Sequence, residues 1–541
     1  MLKLEQVKRR PEESENCLRE KAASLLRIPP EEILSLTVLR RAVDARPPIC
    51  LVYTLAVEVK NEGAVLRRSR CRQASPYLPQ RYTFTGTESA PNWHQTAPNV
   101  LPPVVVGAGP AGLFATLLLA RAGLRPILLE RGQPVEQRQK DVEKFWSGGP
   151  LLPNSNVQFG EGGAGAFSDG KLNTGTKDPR HRFILEELVS CGAPESILVD
   201  AKPHVGTDML HIALKNMRKK LLSLGADIRF GHRLEGIETR QGQLTGISVA
   251  HGEEIYALPV RNLILALGHS ARDTVERLYG QGLFMEAKPF AVGVRIEHLQ
   301  SRMDAVQYKE YAGHPALPVS SYKLSCHLPD GRGVFSFCVC PGGQVVAAAS
   351  EPRRTVTNGM SEYARSGENI NGGLLVGVTP RDFGSDHPLA GIAFQRRLEE
   401  AAYRLGGGFT APCQRVEDFL HHRPSTGCAS VRPSYRPGVR YADLHDCLPD
   451  FIAGALEQAL PLLDKKLPGF ADGDALLTAV ESRSSAPVRI PRNEDYESNI
   501  TGLYPCGEGA GYAGGILSAA ADGMRCAEKI LTKNLCFYAG L

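Results

Sequence analysis

Three stretches of the chain carry the spacing Gly-x-Gly-x-x-Gly, starting at Gly107, Gly160 and Gly509. That spacing suits a dinucleotide. The first glycine permits a tight turn, the second lets the backbone approach a pyrophosphate, and the third lets a helix pack against a strand. Glycine makes up 55 of 541 residues, so about half a match is expected by chance. The flanking residues must therefore decide which match is functional.

The first match passes that test. In PVVVGAGPAGLFATLLLARAGLRPILLERG (103–132) an apolar strand runs into Gly107-Ala108-Gly109-Pro110-Ala111-Gly112. An apolar helix follows, and then a second apolar strand that ends at Glu130. The helix start turns free N–H groups and a positive dipole towards phosphates. Glu130 stands where a carboxylate accepts both ribose hydroxyls and repels a 2′-phosphate.

The second match, GEGGAG (160–165), has no apolar strand before it and no helical period after it. Two readings stay open for this loop: a surface loop, or a loop lying on a cofactor, since glycine density permits close backbone approach. The third match, Gly509 to Gly514, follows a strand and opens a helix. A complete unit needs a further strand and an acid about 20 residues on, and TKNLCFYAGL contains no acid. This turn is expected to complete the first site.

Other residues have chemical potential. His269 directly follows the strand NLILALG and is a candidate acid or base. Arg295, His298, Arg483 and Arg489 are candidates for anchoring an anionic small-molecule substrate. Cys338-Val339-Cys340 alternates in an apolar run, so both thiols share a strand face. They read as small buried hydrophobes, with a redox thiol at Cys340 as the alternative. Thirteen scattered cysteines without a C-x-x-C point to reduced thiols, not to disulfides or a metal site.

The elements that position these residues fall into blocks. Residues 1–72 read as a small βαββ, ferredoxin-like α/β module, and 73–100 as a linker. Residues 101–275 form the first part of a Rossmann-like domain. Its 233–268 stretch alternates with short turns, as an antiparallel three-stranded meander does. Residues 276–477 form a mixed, β-rich interruption expected to cover the site. Residues 478–541 return to close the first domain. The fold class is thus α/β: a three-layer dinucleotide-binding fold with a meander, a β-rich cap and an N-terminal module.

The net charge of +5 lies wholly in residues 1–72, which hold 15 Lys/Arg and 10 Asp/Glu. A solvated face accounts for it, and a nucleic-acid contact through this module is the less favoured reading. No uncharged apolar run is long enough to span a bilayer, and the first residues lack a signal-peptide pattern. A cytoplasmic location without membrane attachment is the expectation.

Together VVVGAGPAGL, LLERGQPVEQR, FGEGGAGAFSDGKL, LALGHSARDT, KPFAVGVRIEH, CPGGQVV, ESRSSAPVRI and GLYPCGEGAGYAGGILSAAADG resemble a family of uncharacterised FAD-dependent dehydrogenases of bacteria and chloroplasts. That family lies within the glutathione-reductase-like flavoproteins. The resemblance implies FAD as cofactor, with NAD(P)H at most a transient electron donor. It implies that Gly107, Gly109 and Gly112 hold the pyrophosphate, that Glu130 binds the ribose, and that Arg131 and Arg138 lie near the phosphates. It places Gly162, Gly163, Ala164 and Gly165 along the flavin and Leu234 at the adenine. Ala266 and Gly268 flank the cofactor, and Gly507 and Glu508 meet the ribitol and pyrophosphate. Gly514, Gly515 and Ile516 face the flavin's pyrimidine edge. The expected activity is hydride transfer between an unidentified substrate and flavin N5. An RNA-associated or tRNA-modifying flavoprotein and a non-catalytic FAD-stabilised scaffold are the rivals.

Overall fold

The computed structural model describes residues 1–79, 81–84, 101–173, 175 and 177–539, with side chains to 533. Most of the expected linker, 85–100, lies outside the described residues. The N-terminal module runs β1 (Leu2–Arg9), α1 (Cys17–Leu26), β2 (Ile33–Asp44), β3 (Cys50–Val59), α2 (Glu62–Ser69) and β4 (Ala74–Pro76), in sheet order β2-β3-β1-β4. The module therefore has a second helix and a fourth strand beyond the expected βαββ. Its last strand falls inside the stretch read as linker. Three residues of strand are too short to show a period of their own, and pairing with β1 defines them. The module docks on the neighbouring domain: Arg41 ion-pairs with Asp200, and its backbone exchanges hydrogen bonds with Val199 and Ala201.

The second unit is built on a five-stranded sheet, every adjacent pair of which is parallel. It takes β5 (Val104–Val106), β6 (Ile127–Glu130), β7 (Asp227–Phe230) and β11 (Leu263–Leu265) from the first half of the chain, and β23 (Leu503–Pro505) from residues far downstream. The order is β23-β11-β5-β6-β7. Helix α3 (Pro110–Arg121) is buried from Ala111 to Ala120, as expected of a helix that is apolar on every face. It packs against α13 (Ile516–Ala539). The contact is close enough that a Cβ on Gly523 would sit 2.0 Å from the Ala111 carbonyl oxygen. Between β7 and β11 the chain makes the expected meander, β8 (His232–Arg240), β9 (Gln243–His251) and β10 (Glu254–Pro259).

The third unit surrounds a seven-stranded mixed sheet, ordered β14 (Ser325–His327), β15 (Gly333–Cys340), β18 (Asn369–Val378), β13 (Phe290–Leu299), β21 (Leu476–Glu481), β19 (Ala411–Arg415) and β20 (Val439–Tyr441). The amphipathic stretch 390–405 forms α10 (Ala390–Gly406). Strand β21 pairs antiparallel with β13 and β19. The cap sheet therefore extends past the expected boundary at residue 477, and the return to the first domain follows Glu481. A nearly continuous apolar run, LLTAV, gives no sign of which sheet it joins. None of the described helices is long and apolar enough to cross a membrane.

Candidate functional site

A cavity of about 350 Å³ lies where the parallel sheet, the second glycine loop and the cap sheet meet. That volume falls within the range of small-molecule sites. One wall is the turn after β5. Gly107 adopts φ +104, and a Cβ there would meet the Ala266 carbonyl oxygen at 2.2 Å. A Cβ on Gly112 would meet the Gly107 oxygen at 1.8 Å. Both positions are therefore closed to any side chain. Gly109, Pro110 and Ala111 line the cavity, whereas Ala108 and Gly112 stand behind it and shape the turn.

Glu130, at the end of β6, is buried. Its carboxylate accepts hydrogen bonds from Ala108 N (2.7 Å), Gly132 N (2.8 Å) and Gly160 N (3.0 Å). It thus ties the first glycine turn to the second glycine loop while still bordering the cavity. Arg131 borders it too, held by Asp273 at 2.8 Å and stacked 4.1 Å over Phe159. Leu234, from the meander, completes this end.

The loop from Gly160 lies on the cofactor turn and not on the surface. Gly162 N donates to the Ala108 carbonyl at 2.8 Å, and a Cβ on Gly163 would come within 3.1 Å of Gly109 Cα. Gly163, Ala164 and Gly165 line the cavity, while Gly162 packs against Leu214. The third glycine pattern closes the same cavity. A Cβ on Gly509 would strike the Gly268 carbonyl at 2.3 Å. Gly507, Glu508, Gly514, Gly515 and Ile516 line the space shared with Gly107 and Gly109. Cβ atoms on Gly514 and Gly515 would meet nothing within 4 Å.

Several candidates require correction. Arg138 is fully buried, and its guanidinium donates to the carbonyls of Asn156, Val157, Gly160 and Glu161. It holds the glycine loop from behind and is not among the cavity-lining residues. His298 lies outside the cavity, with Nε2 2.8 Å from the Phe470 carbonyl. Arg489 is exposed and sits 4.8 Å over Tyr512, also off the cavity. Arg295 and Arg483 are buried and already paired, Arg295 with Glu481 and Arg483 with Glu399. Neither is a free anion anchor. Arg483 does border the cavity, as do His269, Ala266 and Gly268. His269 Nδ1 is 3.5 Å from the Glu508 carboxylate, and its Nε2 is buried without a hydrogen-bond partner among the described residues.

The residues that sequence reasoning missed form the polar end of the cavity: Asp169, Lys171, Cys338, Asn358 and Glu481. Burial pushes the Glu481 carboxyl up to about 7 despite the opposing Arg295. Glu481 thus holds its proton to near neutrality, as acid–base groups do. The SDGK run inside the second glycine loop was the available signal for Lys171. Nothing local marks Glu481 in LLTAVE.

Comparison with known proteins adds to this geometry. Residues 100–140 match a model described as an FAD binding domain, and 289–484 one described as "FAD-dependent protein, C-terminal domain-like". Residues 1–60 match a domain of unknown function. An uncharacterised protein of Clostridium beijerinckii is 46% identical over 525 residues, covering 96% of each chain. Among solved structures, the flavin-dependent brominase Bmp2 covers 81% of each chain at 13% identity with a TM-score of 0.37. A glycerol-3-phosphate dehydrogenase of Bacillus halodurans complexed with FAD covers 84% of this chain and 68% of its own, at 12% identity and a TM-score of 0.35.

Proposed function

We propose that this chain, which belongs to a family of FAD-dependent proteins together with its uncharacterised Clostridium beijerinckii relative, is an oxidoreductase that passes hydride between a small-molecule substrate and FAD. The residues present fit that cofactor. A cradle of small residues at Gly107–Ala111 opens into the same cavity as Glu130 and the open Gly514–Gly515 backbone. FAD supplies the two-electron chemistry when bound, and the protein supplies orientation, access and electrostatics.

Gly107, Gly109 and the start of α3 would hold the pyrophosphate. Glu130 would accept from the adenosine ribose, and the start of α13 would favour negative charge at the flavin's pyrimidine edge. The cap domain presses Glu481 and Asn358 against the opposite end, where Lys171 of the second glycine loop meets them. Glu481 would hold or release a proton there.

One observation carries the reading: a single cavity is bounded on one side by dinucleotide-binding glycines and on the other by ionisable groups of a separate domain. A scaffold that only needs FAD for stability has no use for such a wall. The purified protein should be yellow and release FAD, not FMN, on denaturation. Its flavin should bleach anaerobically with a suitable donor and recover with an acceptor. A colourless protein that cannot be reconstituted would overturn the reading. A flavin sealed from every donor and acceptor would favour the scaffold.

A further inference from the structure

The two thiols of β15 occupy different places. The β15–β18 register shifts between Phe337 and Cys340, and Cys338 within that shift adopts φ +39. The irregularity turns Cys338 into the wall of the cavity, while Cys340 is fully buried behind it. Cys340 Sγ lies 3.3 Å from the Cys338 carbonyl. The Arg295 guanidinium ties the pair together. It donates to the Cys338 carbonyl at 3.0 Å, reaches Cys340 Sγ at 3.8 Å, and pairs with Glu481 at 3.0 Å.

A second cation faces the same corner from the second glycine loop. Among the described residues Lys171 Nζ is buried without a hydrogen-bond acceptor, and Asp169 is 3.4 Å away. Asp169 is itself engaged by Arg365 and Ser361. Burying an ammonium is costly unless an anion compensates it, and the cavity wall beside it carries a thiol. Hydrogen bonding from the Cys340 thiol lowers the Cys338 pKa, and Lys171 and Arg295 lower it further against burial. Cys340 is raised by its bond to Cys338 and by burial. Thiolate character is thus favoured at Cys338, the sulfur on the cavity wall, over Cys340 behind it. Thiolate character is what makes a cysteine nucleophilic.

We propose that Cys338 and Cys340 form a dithiol–disulfide couple that exchanges two electrons with FAD, with Cys338 as the sulfur that opens onto the cofactor. The proposal rests on the FAD reading above. In the oxidising direction an S–S bond forms and the Cys340 S–H bond breaks. The sulfurs lose two electrons and one proton, and bound FAD takes up both, with Glu481 placed to hold the proton in passage. The reverse step returns two electrons and one proton from reduced FAD, breaks the S–S bond and restores the Cys340 S–H bond, with no net proton consumed. The matching substrate class is a thiol or a disulfide.

Anaerobic titration of the fully oxidised holoprotein with dithionite tests this directly. About four electrons per FAD are expected, two for the flavin and two for the disulfide. Cys338→Ser and Cys340→Ser should each hold flavin yet take up about two. Peptide mass mapping of the oxidised protein should show Cys338 linked to Cys340. Oxidised wild-type protein that takes up only two electrons and retains both free thiols would refute the couple while leaving FAD binding intact. Absence of flavin would instead refute the reading beneath it. If the variants lose flavin through misfolding, wild-type electron stoichiometry and the mass map still decide.

Discussion

Replacing Glu399 by glutamine should loosen the seam between the cofactor and cap domains. Glu399 is wholly buried on α10. Its carboxylate accepts from Arg272 Nη1 at 2.9 Å and Nη2 at 2.7 Å, and from Arg483 Nε and Nη2 at 3.0 Å each, with Ser482 Oγ at 2.7 Å. The two arginines come from the cofactor domain and from the chain returning to it. With an amide at 399, Glu351 alone among the described residues remains to neutralise them, 2.7 Å from Arg272 and 3.8 Å from Arg483, and it also serves Arg396. The amide nitrogen would also set a donor against guanidinium donors. Removing one partner of a buried ion pair costs about 3–5 kcal/mol, because the other charge stays behind. Urea unfolding followed by circular dichroism should show a loss of that size. Flavin should be released at lower urea than secondary structure melts, since Arg483 borders the cavity. A loss below about 1 kcal/mol, the size of an exposed pair, with unaltered flavin release would refute the argument. Replacing Glu399, Arg272 and Arg483 together by apolar residues should cost less than the single change.

Two glycines should separate shape from occupancy. Gly112→Ala drives a Cβ to 1.8 Å from the Gly107 oxygen and should yield unfolded or flavin-free protein. Gly514→Leu should lower flavin occupancy or shift the flavin potential while melting of the apoprotein is unchanged. Glu130→Arg should weaken FAD binding at least 10-fold by fluorescence titration, since each bond to a charged acceptor contributes about 1.5–3 kcal/mol. Unchanged affinity would show that Glu130 is misassigned. Acid should destabilise the protein through Glu399. Burial opposes its ionisation, but Arg272 and Arg483 hold its pKa below the ordinary 4.5. Its contribution is complete above 4.5 and is lost as pH falls towards the folded value. His445 works at the other end. Burial lowers its pKa, but Glu457 and Asp443 outweigh that and raise it above 6.5. Its contribution is complete below 6.5 and fades as pH rises through the raised value, so calorimetric melting of wild type and His445→Gln should converge on the alkaline side.

What could be read from the sequence was what is local. The Gly107 turn, Glu130 and the meander each declare themselves within about 30 residues, because period and turn chemistry are properties of neighbouring residues. The polar end of the cavity was not legible. Cys338, Lys171 and Glu481 come from separate segments, and only the pairing of β13 with β21 and β18 brings Arg295 between Glu481 and the thiols. Arg138 failed for a related reason. The family resemblance implied a place near the phosphates, yet four backbone carbonyls between residues 156 and 161 claim its guanidinium. A sequence shows a cation but not which acceptors surround it.

The position of β23 in the cofactor sheet also sets a schedule for synthesis. About 240 residues separate Leu265, in the adjacent strand, from Leu503. At ~5–20 residues per second a ribosome takes roughly 10–50 s to make them. Throughout that interval the turn at Gly107 exists without Gly507, Glu508 or the start of α13, so the flavin half of the cavity has no far wall. The cap domain, by contrast, has all its strands once Glu481 has emerged. Maturation should therefore run cap first and cofactor last, and a nascent chain halted before Leu503 should hold a folded cap and no flavin.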